Sequence, residues 1–560
     1  MAAQRLNYKI HNWETRAVVA LAACASLFAF LYYFHHNQIL LYGDAEGHIN
    51  IARRVFDSRS PGPLQLGTVW LPLPHLLMLP FLISDWAWRT AVGGSIPSMI
   101  AYACSVLGIF RLVRSSLGAN ARFAAWFAVL AFAGNPSLIY LQTTAMTEPL
   151  YLAFFIWAVT HLLEFTQAVQ AKDTPAARHS LLWCGITLAG CTMTRYDGWI
   201  AMAAACLAIL TLVVVRLRDA DRSPESSISR VPRPCRAFCD RAGVFCAEVG
   251  LLRFLLICAA GPLLWFAYNT AVYRNPIEFA NGPYSAKAIE HRIVQAPHPG
   301  TGDPWMAELY FVRAVEMNLA HSVPTAKLWL ILAALGTLVT LRRRNSWPLL
   351  LLWIPLPFYA LSVAYSGVPI FVPDWWPFGQ YNLRYGLQLL PAVAVFSAAA
   401  VHALLSIIRS TRKQQALALA ATALWFWTAA HTASNPASFL EANTNMQGRV
   451  TLQESLAVEL QRLPPNSSIL MALRDFPGAP QRAGVPLRRI INENDQRLWI
   501  QPRDEDGLWV RALQNPSQLV DFAIGFTGDP VDAAATQHHL PAIFSLEVAG
   551  QPRATIYRAR

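Results

Sequence analysis

Long apolar stretches without charged residues recur along this chain and constrain its fold more than any other feature. They lie between about residues 17 and 431, and each is long enough to cross a hydrocarbon layer of about 30 Å. Of the 560 residues, 54% are apolar and 14% are charged, whereas soluble domains have roughly 25% charged residues. The sequence therefore predicts a polytopic α-helical membrane protein.

The apolar stretches predict eleven transmembrane helices, so the two termini are expected on opposite sides of the membrane. Lys and Arg concentrate in the loops on the side of the N-terminus, which the positive-inside rule assigns to the cytoplasm. The expected location is the plasma (inner) membrane, with the C-terminal part extracytoplasmic. The predicted spans are 17–36, 91–110, 123–142, 147–163, 180–195, 198–215, 254–272, 319–341, 347–366, 386–408 and 415–431.

Two outer loops and a C-terminal domain complete the predicted architecture. The transmembrane domain covers 1–431, and its first outer loop, 37–89, is long enough for interfacial helices. Within this loop, segment 70–83 is too short and too rich in proline for a twelfth span, so it is predicted to be interfacial or re-entrant. The second outer loop covers 273–320, and 432–560 form a small extracytoplasmic domain.

The C-terminal domain has ordinary mixed composition and alternating secondary-structure patterns. The pattern predicts a helix over 449–463 and strands over 468–473, 487–492, 520–526 and 544–557. The domain is therefore predicted to be α/β, and nothing in it has a pattern typical of catalysis.

Charge and cysteine usage exclude several other classes. The net charge is +12, but the basic residues punctuate apolar runs, so nucleic-acid binding is not expected. The nine cysteines all lie between Cys24 and Cys258, and they indicate no disulfide framework. Cys235, Cys239 and Cys246 have irregular spacing and no histidine partner, so no zinc site is expected.

The motif GDAEGH at 43–48 follows the first span and places two carboxylates and an imidazole at the outer interface. A carboxylate that is half out of water has a raised pKa and can accept a proton, as a general base must. The alternative interpretation is that Asp44 or Glu46 caps the helix that follows.

Three further charged residues lie on the same predicted side. Glu148 enters an otherwise apolar span, where it either stabilises the helix start or faces a cavity in the bundle. Arg195 and Asp197 lie in a tight outer turn, and a structural ion pair between them is the favoured interpretation.

Arg384 is the one basic residue in the loop before the tenth predicted span. Its planar guanidinium suits a phosphate held at headgroup level, and snorkelling to ordinary lipid headgroups is the alternative. Lys287, His291 and Arg292 in the second outer loop are weaker candidates for the same anion.

These residues together predict chemistry at the outer interface. One carboxylate would take a proton from an acceptor hydroxyl, and one cation would neutralise a phosphate leaving group. This combination suits transfer from a lipid-phosphate donor. The alternatives are a lipid or glycan flippase, whose polar residues are expected near the middle of the bilayer, and transfer of an oligosaccharide or a phosphate-containing group.

Five motifs together resemble the GT-C superfamily of polyprenyl-phosphate-sugar-dependent glycosyltransferases. They are DAE at 44–46, LGTVWLPLPH at 66–75, MTEP at 146–149, TRYDGW at 194–199 and NLRYG at 382–386. The nearest resemblance is to the protein O-mannosyltransferase-like and aminoarabinose-transferase-like group, glycosyltransferase family 39 and its bacterial relatives. It implies an inverting hexosyl- or mannosyl-type transfer from a polyprenyl-phosphate sugar to a protein, lipid or glycan.

The resemblance also implies roles for individual residues. Asp44 resembles the catalytic base of the family, and Glu46 is a second catalytic candidate, although Ala45 separates the two carboxylates that the mannosyltransferase group often has side by side. No metal or other cofactor is expected. The predicted substrate contacts are His48, His75, Glu148, Arg195, Asp197, Lys287, Tyr381 and Arg384.

Overall fold

The computed structural model is mostly helical and describes residues 12–221, 250–293, 297–343, 346–495 and 507–560. Up to Arg462 its α-helices are α1 (Asn12–His35), α2 (Gly43–Arg54), α3 (Leu73–Met78), α4 (Asp85–Arg89), α5 (Val92–Leu117), α6 (Arg122–Ala133), α7 (Pro136–Leu141), α8 (Glu148–Gln170), α9 (Thr174–Thr194), α10 (Asp197–Asp221), α11 (Leu251–Tyr273), α12 (Glu278–Asn281), α13 (Ala286–Ile293), α14 (Pro304–Leu319), α15 (Val323–Leu341), α16 (Pro355–Tyr365), α17 (Leu390–Ile407), α18 (Thr411–Ala433) and α19 (Ala437–Arg462). Short 3₁₀ helices cover Pro63–Leu66, Leu79–Phe81, Trp347–Trp353 and Leu383–Leu389.

Within the described residues, eight helical segments are long and apolar enough to cross a membrane, which confirms a multi-pass helical membrane protein. They are Trp13–His35, Val92–Leu117, Glu148–Gln170, Asp197–Val214, Leu251–Tyr273, Val323–Leu341, Trp347–Tyr365 and Leu383–Ile407. The predicted spans 123–142, 180–195 and 415–431 also fall on helices, but these are shorter or less apolar. The count of eleven therefore stays a prediction.

Proline interrupts two of the predicted spans. The stretch 123–142 is not one helix, because Asn135 caps α7 by accepting a hydrogen bond from the Leu138 amide (3.0 Å) and Pro136 has no N–H to donate. In 347–366 the chain forms a 3₁₀ helix before α16, and Pro355 stands at the junction.

The first outer loop, 37–89, folds into α2, α3 and α4, which agrees with the prediction that it contains helices. Segment 70–83 contains only α3 and a 3₁₀ turn, and it is not among the segments long enough to span a membrane. The longest helix of the loop, α2, carries the GDAEGH motif.

The C-terminal domain is built on a five-stranded sheet of order β2-β1-β3-β5-β4, which confirms the predicted small α/β domain. Strand β1 pairs parallel with β2 and β3, and β5 pairs antiparallel with β3 and β4. The strands are β1 (Ile469–Met471), β2 (Ile490–Ile491), β3 (Phe522–Phe526), β4 (Ala542–Leu546) and β5 (Ala554–Arg558), with helices α20 (Gly478–Ala483), α21 (Leu508–Gln514), α22 (Pro516–Leu519) and α23 (Pro530–Gln537) between them.

Two details of the predicted domain are wrong. The stretch 544–557 forms two antiparallel strands, because the chain reverses near Gly550, whose φ of 74° favours glycine. The predicted helix 449–463 is the second half of α19, which begins at Ala437 and contacts both α20 and the membrane part. The boundary at 431/432 lies near the end of α18 and stays a prediction.

Candidate active site

Arg384 is the centre of a buried cluster of carboxylates. Its Nη2 donates to Asp44 Oδ2 (2.6 Å), its Nη1 to Glu441 Oε1 (2.7 Å) and its Nε to Glu148 Oε1 (3.2 Å). Only 6% of the Arg384 side chain is exposed. The guanidinium is therefore held inside the protein and does not snorkel to lipid headgroups.

Arg195 extends this cluster on the other side of Glu148. Its Nη1 donates to Glu148 Oε1 (3.0 Å), its Nε to Asp197 Oδ2 (3.2 Å) and its Nη2 to the Tyr359 hydroxyl (2.9 Å). The predicted pair between Arg195 and Asp197 is present, but Arg195 also binds α8 and α16. Carboxylates and guanidiniums thus alternate in the order Asp44, Arg384, Glu148, Arg195 and Asp197.

The NLRYG motif explains how Arg384 is positioned. Asn382 adopts a left-handed conformation with φ of 57°, and its backbone N–H donates to Glu441 Oε1 (2.9 Å). The Arg384 backbone N–H donates to the other Glu441 oxygen (3.0 Å). A Cβ atom at Gly386 would lie 2.6 Å from the backbone of Ala314, so a glycine lets this segment pack directly on α14.

Glu148, Asp44 and Glu46 do not cap the helices on which they lie. Glu148 is the first residue of α8, but both hydrogen bonds of its Oε1 come from guanidiniums, and its Oε2 is buried without a partner among the described residues. The N-cap residue of α2 is Tyr42, with no side-chain capping bond, so neither Asp44 nor Glu46 has the capping role considered from the sequence.

Asp44 differs from the other carboxylates of the cluster in its exposure. Its side chain is 42% exposed, whereas those of Glu148 and Glu441 are 1% exposed and that of Asp197 is 3% exposed. One Asp44 oxygen is fixed by Arg384, and the side chain still reaches open space. Tyr381, also exposed, lies in the same loop as Arg384 and pairs with Phe371 through backbone hydrogen bonds.

Glu46 lies on a different face of α2 and contacts the C-terminal domain. Its Oε1 accepts from Arg482 Nη1 (2.5 Å), its Oε2 accepts from Gln453 Nε2 (3.0 Å), and Arg449 Nη2 is 3.6 Å away. The side chain is fully buried. This geometry does not support the predicted catalytic role of Glu46, because both of its oxygens already accept hydrogen bonds from Arg482 and Gln453.

His48 and His75 come together from α2 and α3. His48 Nδ1 lies 2.9 Å from His75 Nε2, and the His48 ring lies 4.3 Å from the ring of Trp70. Burial, assisted by the charges of Arg195 and Arg384, lowers the pKa of His48 to about 3. Burial likewise holds the pKa of His75 well below its usual range, so both rings are neutral near pH 7.

The remaining predicted residues are not part of this cluster. Lys287 is exposed on α13 and makes none of the cluster contacts described above. The side chains of His291 and Arg292, and the residues Cys235, Cys239 and Cys246, lie outside the described part of the chain. Where the structure is described, no group of three or more His, Cys, Asp or Glu residues is arranged to hold a metal ion.

Glu441 and three tyrosines were missed by the sequence analysis. Glu441 belongs to α19, beyond the predicted boundary at 431/432, in a part of the chain where the sequence shows no pattern typical of catalysis. The Arg384 guanidinium carbon lies 5.0 Å from the ring centres of both Tyr42 and Tyr385, and Tyr359 binds Arg195. The sequence signal for Glu441 was its charge between the apolar residues Leu440 and Ala442, but Glu441 belongs to no motif.

Comparison with solved structures shows that other proteins share this fold. ArnT from Cupriavidus metallidurans bound to undecaprenyl phosphate superposes with a TM-score of 0.56 and 13% sequence identity, covering 97% of this chain and 98% of that chain. The same ArnT in the apo state gives 0.56 and 14%, with the same coverage. The archaeal oligosaccharyltransferase AglB from Archaeoglobus fulgidus gives 0.46 and 12%, covering 98% of this chain and 74% of its own.

No protein-family model and no curated protein sequence matches the chain. The similarity to ArnT therefore establishes the fold, and the GT-C-like architecture predicted from the motifs is confirmed.

Proposed function

We propose that this multi-pass membrane protein, which has the fold of ArnT, is an inverting glycosyltransferase. It moves a sugar from a polyprenyl-phosphate carrier to an acceptor hydroxyl of a protein, lipid or glycan. That ArnT binds undecaprenyl phosphate in one of its structures supports a lipid-linked donor here. The positive-inside pattern supports a site on the outer face of the plasma (inner) membrane, with a cytoplasmic N-terminus and an extracytoplasmic C-terminal domain.

The observation that carries this proposal is the orientation and exposure of the Asp44 side chain. One of its oxygens is fixed by Arg384 at 2.6 Å, and its side chain is the exposed carboxylate of the cluster. A general base must be both oriented and accessible to the proton that it removes. Asp44 combines the two properties, whereas the other carboxylates of the cluster are oriented but enclosed.

In the proposed reaction the acceptor oxygen attacks the anomeric carbon from the side opposite the phosphate. The new C–O bond forms while the bond to the phosphate oxygen breaks, and its electron pair leaves with the lipid phosphate. The hydroxyl proton passes to Asp44. Attack from the opposite side inverts the anomeric configuration, and the proton and the charge are both accounted for.

Arg384 is proposed to serve both Asp44 and the leaving phosphate. A guanidinium has five N–H donors, and Arg384 uses three of them on Asp44, Glu148 and Glu441. Two donors remain for a phosphate oxygen. Glu148 and Glu441 hold the guanidinium in position, so little reorganisation is needed when charge develops on the phosphate.

An apolar groove next to the cluster supports a lipid-linked donor. It has a volume of about 830 Å³ and lies between α3, α5, α8 and α9. Leu76 and Leu77, directly after His75, and Leu150, two residues after Glu148, line this groove. We infer that a polyprenyl chain in this groove has its phosphate at the end lined by Leu150, two residues from the Glu148 that binds Arg384.

A flippase without chemistry is the second candidate, and the position of the charged residues argues against it. Glu148 and Asp197 are the first residues of their spans, and Arg384 is the second residue of its span. The polar residues of transporters are expected near the middle of the bilayer. These positions support a cluster at one membrane surface, as an interfacial enzyme requires.

The test is a transfer assay with the protein purified into lipid nanodiscs and radiolabelled polyprenyl-phosphate sugars. The wild type is expected to transfer the sugar or to hydrolyse the donor slowly, and Asp44→Asn is expected to lose about 10²–10⁴-fold of that rate. Asp85→Asn is the matched control, because Asp85 is also an exposed carboxylate of the first outer loop bound to an arginine. Movement of intact donor between leaflets of vesicles, without bond cleavage, would contradict the proposal.

A further inference from the structure

The contact between His48 and His75 can contain only one hydrogen. Both rings are buried, and His48 Nδ1 lies 2.9 Å from His75 Nε2, so one nitrogen donates and the other accepts. Two arrangements of neutral rings satisfy this contact. In the first arrangement, His48 donates from Nδ1 and neutral His75 carries its hydrogen on Nδ1. In the second, His75 donates from Nε2 and neutral His48 carries its hydrogen on Nε2.

The surroundings of His75 favour the second arrangement. His75 Nδ1 is buried and has no hydrogen-bond partner among the described residues. The first arrangement would bury an unsatisfied N–H there, which is rarer in proteins than an unsatisfied acceptor.

The position of His48 on α2 relates it to Asp44. Asp44 and His48 are four residues apart on α2, so both side chains lie on the same face of the helix. His48 Nε2 has no hydrogen-bond partner where the structure is described, and it is not among the fully buried polar atoms without a partner. This nitrogen therefore keeps a small exposed area on a residue that is otherwise buried, with 2% of His48 exposed in all.

We propose that His75 fixes the tautomer of His48, and that His48 thereby presents its Nε2–H as a neutral hydrogen-bond donor to the phosphate of the lipid-linked substrate. His75 is then a positioning residue that acts through His48. This inference rests on the proposed function, since it names one more contact of the same donor. A neutral donor suits a site whose two guanidiniums are already paired with carboxylates.

Four variants separate this role from simple packing. Glutamine places its amide nitrogen near the position of the histidine Nε2, whereas asparagine reaches only the position of Nδ1. His75→Gln retains the donor to His48 and His75→Asn loses it. His48→Asn retains the contact with His75 but has no group at Nε2, and His48→Gln retains a donor there.

The first measurement is the affinity of undecaprenyl phosphate for the full-length protein in nanodiscs, by native mass spectrometry. We expect His75→Gln to bind within about twofold of wild type, and His75→Asn and His48→Asn to bind about tenfold more weakly. His48→Gln should bind more tightly than His48→Asn. Equal affinities for all four variants, with equal shifts in unfolding temperature, would mean that the pair only packs and would overturn the proposal.

The second measurement reads the tautomer directly. Protein with ¹⁵N-labelled histidine is reconstituted in lipid, and the ring signals of His48 are assigned from the spectrum of His48→Gln. A hydrogen on His48 Nε2 supports the proposal, and a hydrogen on its Nδ1 overturns it. If the tautomer is as expected but the wild type binds no polyprenyl phosphate, the lipid-linked donor of the proposed function and the phosphate contact of His48 both fail, while the tautomer assignment stands.

Discussion

Two arginine–carboxylate clusters lie on different faces of the same short helix, α2. Asp44 binds Arg384 at 2.6 Å, and Glu46 binds Arg482 at 2.5 Å, so the two ion pairs are alike in chemistry and distance. They differ in exposure, since the Asp44 side chain is 42% exposed and that of Glu46 is fully buried. Charge pairing alone therefore does not distinguish a candidate catalytic carboxylate from one that joins two parts of the protein.

Helical geometry explains why neighbouring residues have such different surroundings. Asp44 and His48 are four residues apart and face the membrane cluster, whereas Glu46 and Asn50 face the C-terminal domain. Asn50 Nδ2 donates to Gln481 Oε1 (2.7 Å), next to the Glu46 contacts. The helix thus connects the candidate site on one face to the C-terminal domain on another.

The largest expected difference between the two clusters is in catalytic rate. Asp44→Asn removes the proposed base but keeps the shape of the side chain, so we expect a loss of about 10²–10⁴-fold in the rate of transfer. The unfolding temperature should remain close to that of the wild type, because Asp44 is already in contact with solvent. Full activity together with a lowered unfolding temperature would show that Asp44 is structural.

Glu441→Gln tests whether the C-terminal domain supports the candidate active site. The change weakens the contacts that hold Arg384, so we expect kcat to fall by about 10–100-fold as the guanidinium shifts. Glu454→Gln is the control, since Glu454 is an exposed residue of the same helix, α19. An equal kcat for both variants would remove α19 from the site. The measurement is kcat and KM in the nanodisc transfer assay.

Glu46→Gln should give the opposite result to Asp44→Asn. It leaves Arg482 without its charged partner in a buried interface, so we expect a loss of about 2 kcal/mol in the free energy of unfolding. The rate of transfer by the folded fraction should stay within about threefold of wild type, which corresponds to less than about 1 kcal/mol. Denaturant titration gives the first quantity, and the assay gives the second. A large drop in kcat at unchanged stability would restore Glu46 as a catalytic candidate.

The smallest expected effect is the pH dependence that the buried histidines add to stability. The folded pKa of His48 is about 3 and the unfolded value is about 6.5. Above the unfolded value both states are neutral; below it the unfolded chain binds a proton that the folded chain does not. Stability should therefore fall by about 1.4 kcal/mol per pH unit for each histidine as the pH drops below about 6.5.

His48→Gln with His75→Gln removes both titrations and should reduce this slope. The measurement is the free energy of unfolding of the wild type and the double variant between about pH 5 and pH 7. Identical slopes would mean that the two rings take up protons in the folded protein.

Several parts of the fold could be predicted from local patterns. Apolar stretches predicted every segment that the structure shows to be long enough to cross a membrane, because hydropathy is a property of the segment itself. The predicted span 123–142 is in fact two helices, α6 and α7. Asn135 and Pro136, a capping residue followed by proline, were the sequence signal for this break. Candidate residues on the outer loops could be proposed because they are polar in apolar surroundings, and five of them form one alternating cluster.

The sequence by itself determined the class of the protein, the predicted orientation of its spans and the residue types available for chemistry. Only the tertiary structure decided which face of α2 holds each carboxylate, and that Glu441 reaches Arg384 across 57 residues of chain. The physical reason is that hydropathy, capping and turn formation depend on neighbouring residues, which a local pattern contains. Exposure of one carboxylate and enclosure of another depend on packing between distant elements, which no local pattern contains.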